Sequence, residues 1–366
     1  MLRAIGLMSG TSMDGIDVAL LETDGENAVR AGAGATYPYT PSERQLIAAA
    51  LHDAADLRER NERPGAVSAA ESMITGAHAK AVERFLVEQR LTAAEIDLVG
   101  FHGQTVVHRP DERLTVQIGS GGDLARETGI RVVADMRAAD VAAGGQGAPV
   151  VPVYHRAMAR ALNLPSAVFV NIGGVSNVTY VGDDGGLLAF DTGPGNALID
   201  DWVACQSEAA VDYGGRIAAA GRGAFEPSTL GRMLSNPYFD VPPPKSLDRN
   251  HAWNPDLEGL TIEAGAALLT TFTAASIARS SEWFPGAPAE WLICGGGRHN
   301  AELMRLLKVH INGPVSAADE HGLDGDAIEA QAFAYLAVRA LRSLPLTFPG
   351  TTGVPEPLTG GVIFEP

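Results

Sequence analysis

Two glycine-rich turns and one strand-end carboxylate hold most of the chemistry this sequence offers. The first turn lies within Ile5–Leu20, IGLMSGTSMDGIDVAL, where the apolar runs Ile5–Met8 and Ile16–Leu20 flank Ser9, Gly10, Thr11, Ser12, Met13, Asp14 and Gly15. Small turn-forming residues between two β-type runs predict a hairpin. Its successive backbone N–H groups and hydroxyls suit a phosphate. Asp14 and Asp17 would repel a bare phosphate, so they point to an intervening divalent cation, with Asp14 as its candidate ligand. A plain tight hairpin is the alternative reading. The second turn, Asn171-Ile172-Gly173-Gly174-Val175-Ser176-Asn177, repeats the pattern. Asp191 then closes an apolar strand directly before Thr192-Gly193-Pro194-Gly195-Asn196. Strand ends of this kind are where α/β sheets place ligands and catalytic groups. A carboxylate there can take a proton from a hydroxyl or a water, or it can simply cap the turn.

Further candidates surround these. Cys294-Gly295-Gly296-Gly297-Arg298-His299-Asn300 stands between a strand and a helix, where glycines admit a flat ring and a helix start favours anions. It is not the G-x-G-x-x-G dinucleotide fingerprint, and the chain has neither a G-x-x-x-x-G-K-[ST] phosphate loop nor a G-x-S-x-G elbow. Glu329 shares a helix face with Phe333, Leu336 and Ala340, so it either faces a site or closes a capping box beginning at Asp326. His102, Gln104 and Thr105 follow a strand and suit sugar hydroxyls. Arg137 and Gln146 fit a ligand-lining role, Arg137 as an anion clamp. His102 and His108 lack a third metal ligand.

These residues need elements to position them. The predicted strands are Val29–Tyr39 after the hairpin, then Ile96–Phe101, Leu114–Ile118 and Ile130–Ala134, with helices over Ser42–Leu57 and Ala66–Gln89. The order restarts with strands Ser166–Ile172, Val175–Val181 and Leu187–Asp191, followed by helices near Ala197–Gln206, Tyr213–Ala220, Glu226–Leu234 and Leu260–Glu282. Strand Trp291–Cys294 and helices Asn300–Leu307 and Ala327–Leu341 come next, and strand Gly361–Phe364 ends the chain. A hairpin-led α/β unit thus appears twice, which predicts two lobes around one cleft. The expected lobes are residues 1–135 with 343–366, and 136–342. The chain has 366 residues, 46% of them hydrophobic, enough for two ordinary domains. Its 27 Lys and Arg against 44 Asp and Glu give a net charge of −17, which disfavours phosphate-driven nucleic-acid binding. No stretch reaches membrane-spanning length, and two isolated cysteines, Cys205 and Cys294, suit a reducing, cytoplasmic compartment.

Taken together the segments MSGTSMDGID, FHGQTVVHRP, VQIG, VVADMR, GGQGAPVVP, NIGGVSNV, FDTGPGN, PPPKS and CGGGRHN, in this order, resemble the anhydro-N-acetylmuramic acid kinase family. The resemblance implies the duplicated two-lobed sugar kinase/Hsp70/actin (ribonuclease H-like) α/β fold with a central cleft. It implies ATP-dependent conversion of 1,6-anhydro-N-acetylmuramic acid to N-acetylmuramic acid 6-phosphate in peptidoglycan recycling, with Mg²⁺ and as a homodimer. Asp191 would be the base that activates water for opening of the anhydro ring. ATP would be held by Gly10 to Asp17, Gly173, Gly174, Gly295, Gly296, Gly297 and Asn300. The sugar would meet His102, Gln104, Thr105, Arg137, Gln146, Asn196 and Glu329. One departure stands out: Leu247-Asp248-Arg249-Asn250 follows PPPKS where many relatives have Thr-Gly-Arg-Glu. An ATP-switched binding protein and a kinase acting on an open sugar are the competing readings.

Overall fold

A computed structural model describes residues 1–10, 13–247, 253 and 255–366. Thr11, Ser12 and the Asp248–Asn250 departure lie outside the described residues. Chain contacts divide the molecule into one unit of residues 1–161 with 327–366 and a second of residues 162–326.

In the first unit, β1 (Leu2–Met8), β2 (Gly15–Thr23) and β3 (Val29–Pro38) form an antiparallel meander. After helices α1 (Pro41–Asp53) and α2 (Val67–Gln89), β4 (Leu98–Phe101) pairs parallel to β1. A separate two-stranded ribbon, β5 (Gln104–Arg109) with β6 (Leu114–Ile118), leads to α3 (Gly121–Thr128) and β7 (Val132–Ala134), which lies parallel to β4. Helices α4 (Ala138–Ala142) and α5 (Pro152–Ala161) complete this stretch. The sequence reading has His102–Thr105 as polar groups at a strand end and contains no strand at β5. Its polar start hid the β-branched pair Val106 and Val107.

The second unit repeats the plan. β8 (Ala167–Ile172), β9 (Val175–Val181) and β10 (Leu187–Pro194) form the meander. Helices α6 (Ala197–Gln206), α7 (Arg216–Ala220), α8 (Pro227–Leu234) and α9 (Ile262–Arg279) follow. Next come β11 (Glu290–Cys294), α10 (Ala301–His310) and β12 (Val315–Ala317). β11 runs parallel to both β8 and β12. The sheet orders are β3-β2-β1-β4-β7 and β10-β9-β8-β11-β12, the same order with the same directions. The duplication inferred from element order is therefore real at the level of topology.

The period-2 alternation of a strand decides what covers each face. Ile5 and Leu7 of β1 point into a core with Ile47, Ile74, Val82 and Phe85 of α1 and α2. Gly6, between them, faces the last long helix, α11 (Ile328–Leu341). A Cβ on Gly6 would sit 1.7 Å from the Ala330 carbonyl, and one on Gly100 of β4 2.1 Å from that of Phe333. Backbone lies directly on backbone here, and α11 packs on β1, β2 and β4. That contact puts 327–342 in the first unit rather than the second, where the sequence reading had it. Residues 136–161 also join the first unit. Helix α12 (Pro349–Thr352) and β13 (Val362–Phe364), antiparallel on the β7 edge, complete it. In the second unit Val168, Val170 and Ile172 pack with Ile277 of α9 and Leu303 and Leu307 of α10.

Candidate active site

The first turn connects β1 to β2, whose register pairs Met8 with Asp17. Met13 takes a left-handed φ of 55°, and its N–H donates to the Gly10 carbonyl at 3.3 Å. Gly15 is required, because a Cβ there would meet the Tyr37 carbonyl at 2.7 Å. Asp14 is exposed beside it, its carbonyl accepting from the Tyr39 N–H at 3.0 Å. The Asp17 carboxylate accepts from the Thr36 hydroxyl at 2.6 Å. Ile16 is 2% exposed and packs in the core, so only its backbone borders the turn. Gln104, read from sequence as a sugar ligand, is 1% exposed. Its Nε2 donates to the Gly10 carbonyl at 3.2 Å and its Oε1 accepts from Ser9 at 3.0 Å. It shapes the turn instead. Among the described residues no group of three or more His, Cys, Asp or Glu could hold a metal. An exposed Asp14 with phosphate and water oxygens for the remaining positions suits Mg²⁺, which keeps much of its water.

Elsewhere in the first unit the structure brings together His102, Arg137 and Glu329. Arg137 donates from Nε to His102 Nε2 at 3.2 Å and from Nη1 to the Gly147 carbonyl at 2.8 Å. Burial lowers the Arg137 pKa to about 10, opposed by the charges of Glu329 and Asp140. It stays cationic at neutral pH. Burial, and then the Arg137 charge, hold the His102 pKa well below its usual value, so His102 is a neutral imidazole. Its ring lies 4.7 Å from Phe333 of α11. Glu329 is half-buried, and the helix N-cap is Ala327 with no side-chain cap. Asp326, the capping-box candidate, bonds Arg298 at 2.6 and 2.7 Å. Sequence reasoning passed over Asp140, 2% exposed, which accepts from the Gly147 N–H and the Thr352 hydroxyl, each at 2.6 Å. It fixes the loop that carries Gln146. Thr105 sits on β5 and accepts from Gln117 Nε2 at 3.2 Å.

In the second unit three glycine loops meet at one sheet end. The Gly173 and Gly174 carbonyls accept from the N–H groups of Asn196 (2.7 Å) and Gly195 (2.8 Å). A Cβ on Gly195 would lie 2.2 Å from the Gly173 carbonyl. Asn196 Nδ2 donates to the Ile172 carbonyl at 3.3 Å. Gly295 and Gly297 press on Asn171 and Ile172, leaving Gly296 as the glycine of the triplet with open space beside it. The close packing expected against a ligand ring is thus partly made against β8. Asn300 caps α10, its Oδ1 accepting from the Leu303 N–H at 2.9 Å.

Asp191 lies on β10 where the pairing with β9 slips between Asp191 and Gly193. The extra residue, Thr192, turns inward to bond Ser176 at 2.6 Å. Such bulges re-aim side chains beside sites. Asp191 Oδ2 accepts from the Leu247 N–H at 2.7 Å. The carboxyl keeps an open edge but is deeply recessed. Burial pushes its pKa up to about 7, against the downward pull of the Leu247 N–H. A carboxylate poised near neutrality is the setting for a general base.

The anhydro-N-acetylmuramic acid kinase family profile matches residues 2–366. The chain belongs to that family. This kinase is 52% identical over 376 residues to the anhydro-N-acetylmuramic acid kinase of Methylobacterium nodulans, covering 100% of both chains. It is 51% identical over 368 residues to that of Bradyrhizobium diazoefficiens, again over 100% of each. Its likeness to the enzyme of Agrobacterium fabrum is 52% over 99% of this chain and 98% of that one. The duplicated α/β sheets of this kinase accord with the sugar kinase/Hsp70/actin architecture implied by its motifs.

Proposed function

We propose that this kinase converts 1,6-anhydro-N-acetylmuramic acid and ATP to N-acetylmuramic acid 6-phosphate and ADP, in peptidoglycan recycling in the cytoplasm. The recessed Asp191, with its carboxyl near neutrality, carries the reading. Its carboxylate takes a proton from water as the water oxygen bonds to the anomeric carbon. The bond from that carbon to the bridging oxygen breaks, and the oxygen, left on the 6-position, attacks the γ-phosphorus. ADP leaves, and the proton on Asp191 returns to solvent. Phosphoryl transfer of this kind rests on positioning and charge stabilisation.

The first turn, Gly10 to Asp17, serves the ATP phosphates through backbone N–H groups, and Asp14 would hold Mg²⁺, which when bound would supply charge neutralisation at the phosphates. Gly173, Gly174, Gly296 and the amide of Asn300 serve the nucleotide from the second unit. Arg137 supplies a permanent cation for developing negative charge, with Glu329 beside it. Thr105, Gln146 and the Oδ1 of Asn196 serve sugar hydroxyls and amide, while His102, whose Nδ1 donates to the Ser9 carbonyl at 3.3 Å and whose Nε2 accepts from Arg137, orients Arg137 beside them. The functional dimer is taken from the motif resemblance, and sedimentation velocity tests it.

Product analysis in ¹⁸O-water tests the chemistry. The expected product is a ring-opened 6-phosphate with ¹⁸O on the anomeric carbon. A phosphorylated sugar with its anhydro bridge intact would overturn the coupled mechanism. Asp191→Asn should lower kcat by about 10²–10⁴-fold, the range of general-base contributions.

A further inference from the structure

Pro243-Pro244-Lys245-Ser246-Leu247 runs over Asp191 as a strap. The strap touches the aspartate twice: the Lys245 carbonyl accepts from the Asp191 N–H at 3.0 Å, and the Leu247 N–H reaches Oδ2 at 2.7 Å. Both contacts are made by backbone. The Leu247 departure therefore leaves this bond intact, since any residue but proline supplies an N–H. What fixes the strap is the Lys245 side chain. Its ammonium donates to the carbonyls of Tyr238 (2.9 Å) and Phe239 (3.2 Å). It also lies over the rings of Tyr238 at 4.7 Å, Trp283 at 5.5 Å and Phe190 at 5.8 Å. Tyr238 closes the circuit, its hydroxyl donating to the Asp191 carbonyl at 2.7 Å.

We propose that Lys245 is a positioning residue for the reaction, clamping the 243–247 strap over one side of Asp191 so that bulk solvent is kept off that side of the carboxyl, its open edge is left to the reacting water, and one N–H is held on it. Cation–π contact and two carbonyl acceptors give an ammonium a site that a neutral side chain of equal length does not fill. The charged groups facing Lys245 are Arg279 of α9, which depresses its pKa, and Asp240 and Glu282, which raise it. Burial is the larger influence, bringing Lys245 down to about 8. The clamp is therefore strongest below that pH, across the range in which Asp191 ionises. Tyr238 faces Asp191 as well.

The inference rests on Asp191 being the base, and the test separates the two. The Asp191 carboxyl is titrated by ¹³C NMR in the full-length wild type, Lys245→Met, Lys245→Gln and Lys245→Arg proteins, and pH profiles of kcat are recorded beside it. Burial is the main cause of the raised pKa, so loss of the clamp should admit water and move the NMR midpoint of Lys245→Met down by about a unit or more. The acid limb of kcat should follow it, and the plateau should fall on the order of tenfold as the base weakens. Lys245→Arg should restore the midpoint. Coincident midpoints in wild type, Lys245→Met and Lys245→Gln would overturn the clamp. If Lys245→Met does not fold, Lys245→Gln carries the comparison. Normal turnover in Asp191→Asn would instead overturn the base, whatever the titrations show.

Discussion

At the scale of single residues, Asp191 ties activity and stability to pH in opposite senses. As the proposed base it would work only when ionised, so kcat/KM should drop about tenfold per pH unit below roughly 7, the value to which burial raises it. For stability the sign reverses. A carboxyl whose folded pKa lies above its ordinary 3.8 binds more protons folded than unfolded, so its contribution is full below pH 4 and is lost as pH rises through 7. Asp191→Asn removes that penalty. Thermal melts should show the variant more stable than wild type at pH 8, with the gain vanishing near pH 4. A lower melting temperature at pH 8 would mean that the burial of Asp191 does not set its ionisation. Asp191 was legible in the sequence because its signals, an apolar strand and then a glycine-rich turn, are adjacent to it. Lys245 was not, because the strap meets Asp191 across 56 residues of chain at Leu247 and is held through main-chain carbonyls that no side-chain pattern announces. Gln104 misled for the opposite reason: a polar residue beside a strand end looks free until the turn it braces is in place.

At the scale of elements, the β1–α11 and β4–α11 contacts make the sharpest demand. A methyl group on Gly6 or Gly100 has no room against the α11 backbone, with 1.7 Å and 2.1 Å to the nearest carbonyl oxygens. Gly6→Ala or Gly100→Ala should therefore cost about 1–3 kcal/mol or more, the range for overpacked cores. Denaturant titration measures this. Gly296→Ala, with open space beside it, should leave stability within about 0.5 kcal/mol. Any change in its KM for ATP would then report nucleotide contact directly. Hairpins, long amphipathic helices and the repeated strand order were readable because their periodicity is local. The β10 bulge was not, since a single unpaired residue leaves the continuous apolar run Leu187–Phe190 untouched. Helix α11 was read as an element but assigned to the wrong unit, because its partners β1 and β4 lie far back along the chain.

At the scale of the whole molecule, the two units carry related sheets yet differ in how much chain each needs. The second is one continuous segment, residues 162–326, with its own core. A fragment spanning those residues should fold cooperatively, with far-ultraviolet dichroism and a single denaturation transition as the evidence. A fragment of residues 1–161 lacks α11, α12 and β13 and leaves the glycine face of β1 and β4 uncovered, so it should bind a hydrophobic dye and aggregate. No helix among the described residues is long and apolar enough to cross a membrane.

That discontinuity bears on how the protein is made. A ribosome releases the strands of the first unit early, but the helix that seals them emerges only after the whole second unit. The later-born half can mature while the earlier one waits, reversing the usual order of vectorial folding. Throughout that interval the nascent enzyme shows an unsealed glycine stripe to the cell, and a chaperone that shields it would act before residue 327 is ever translated.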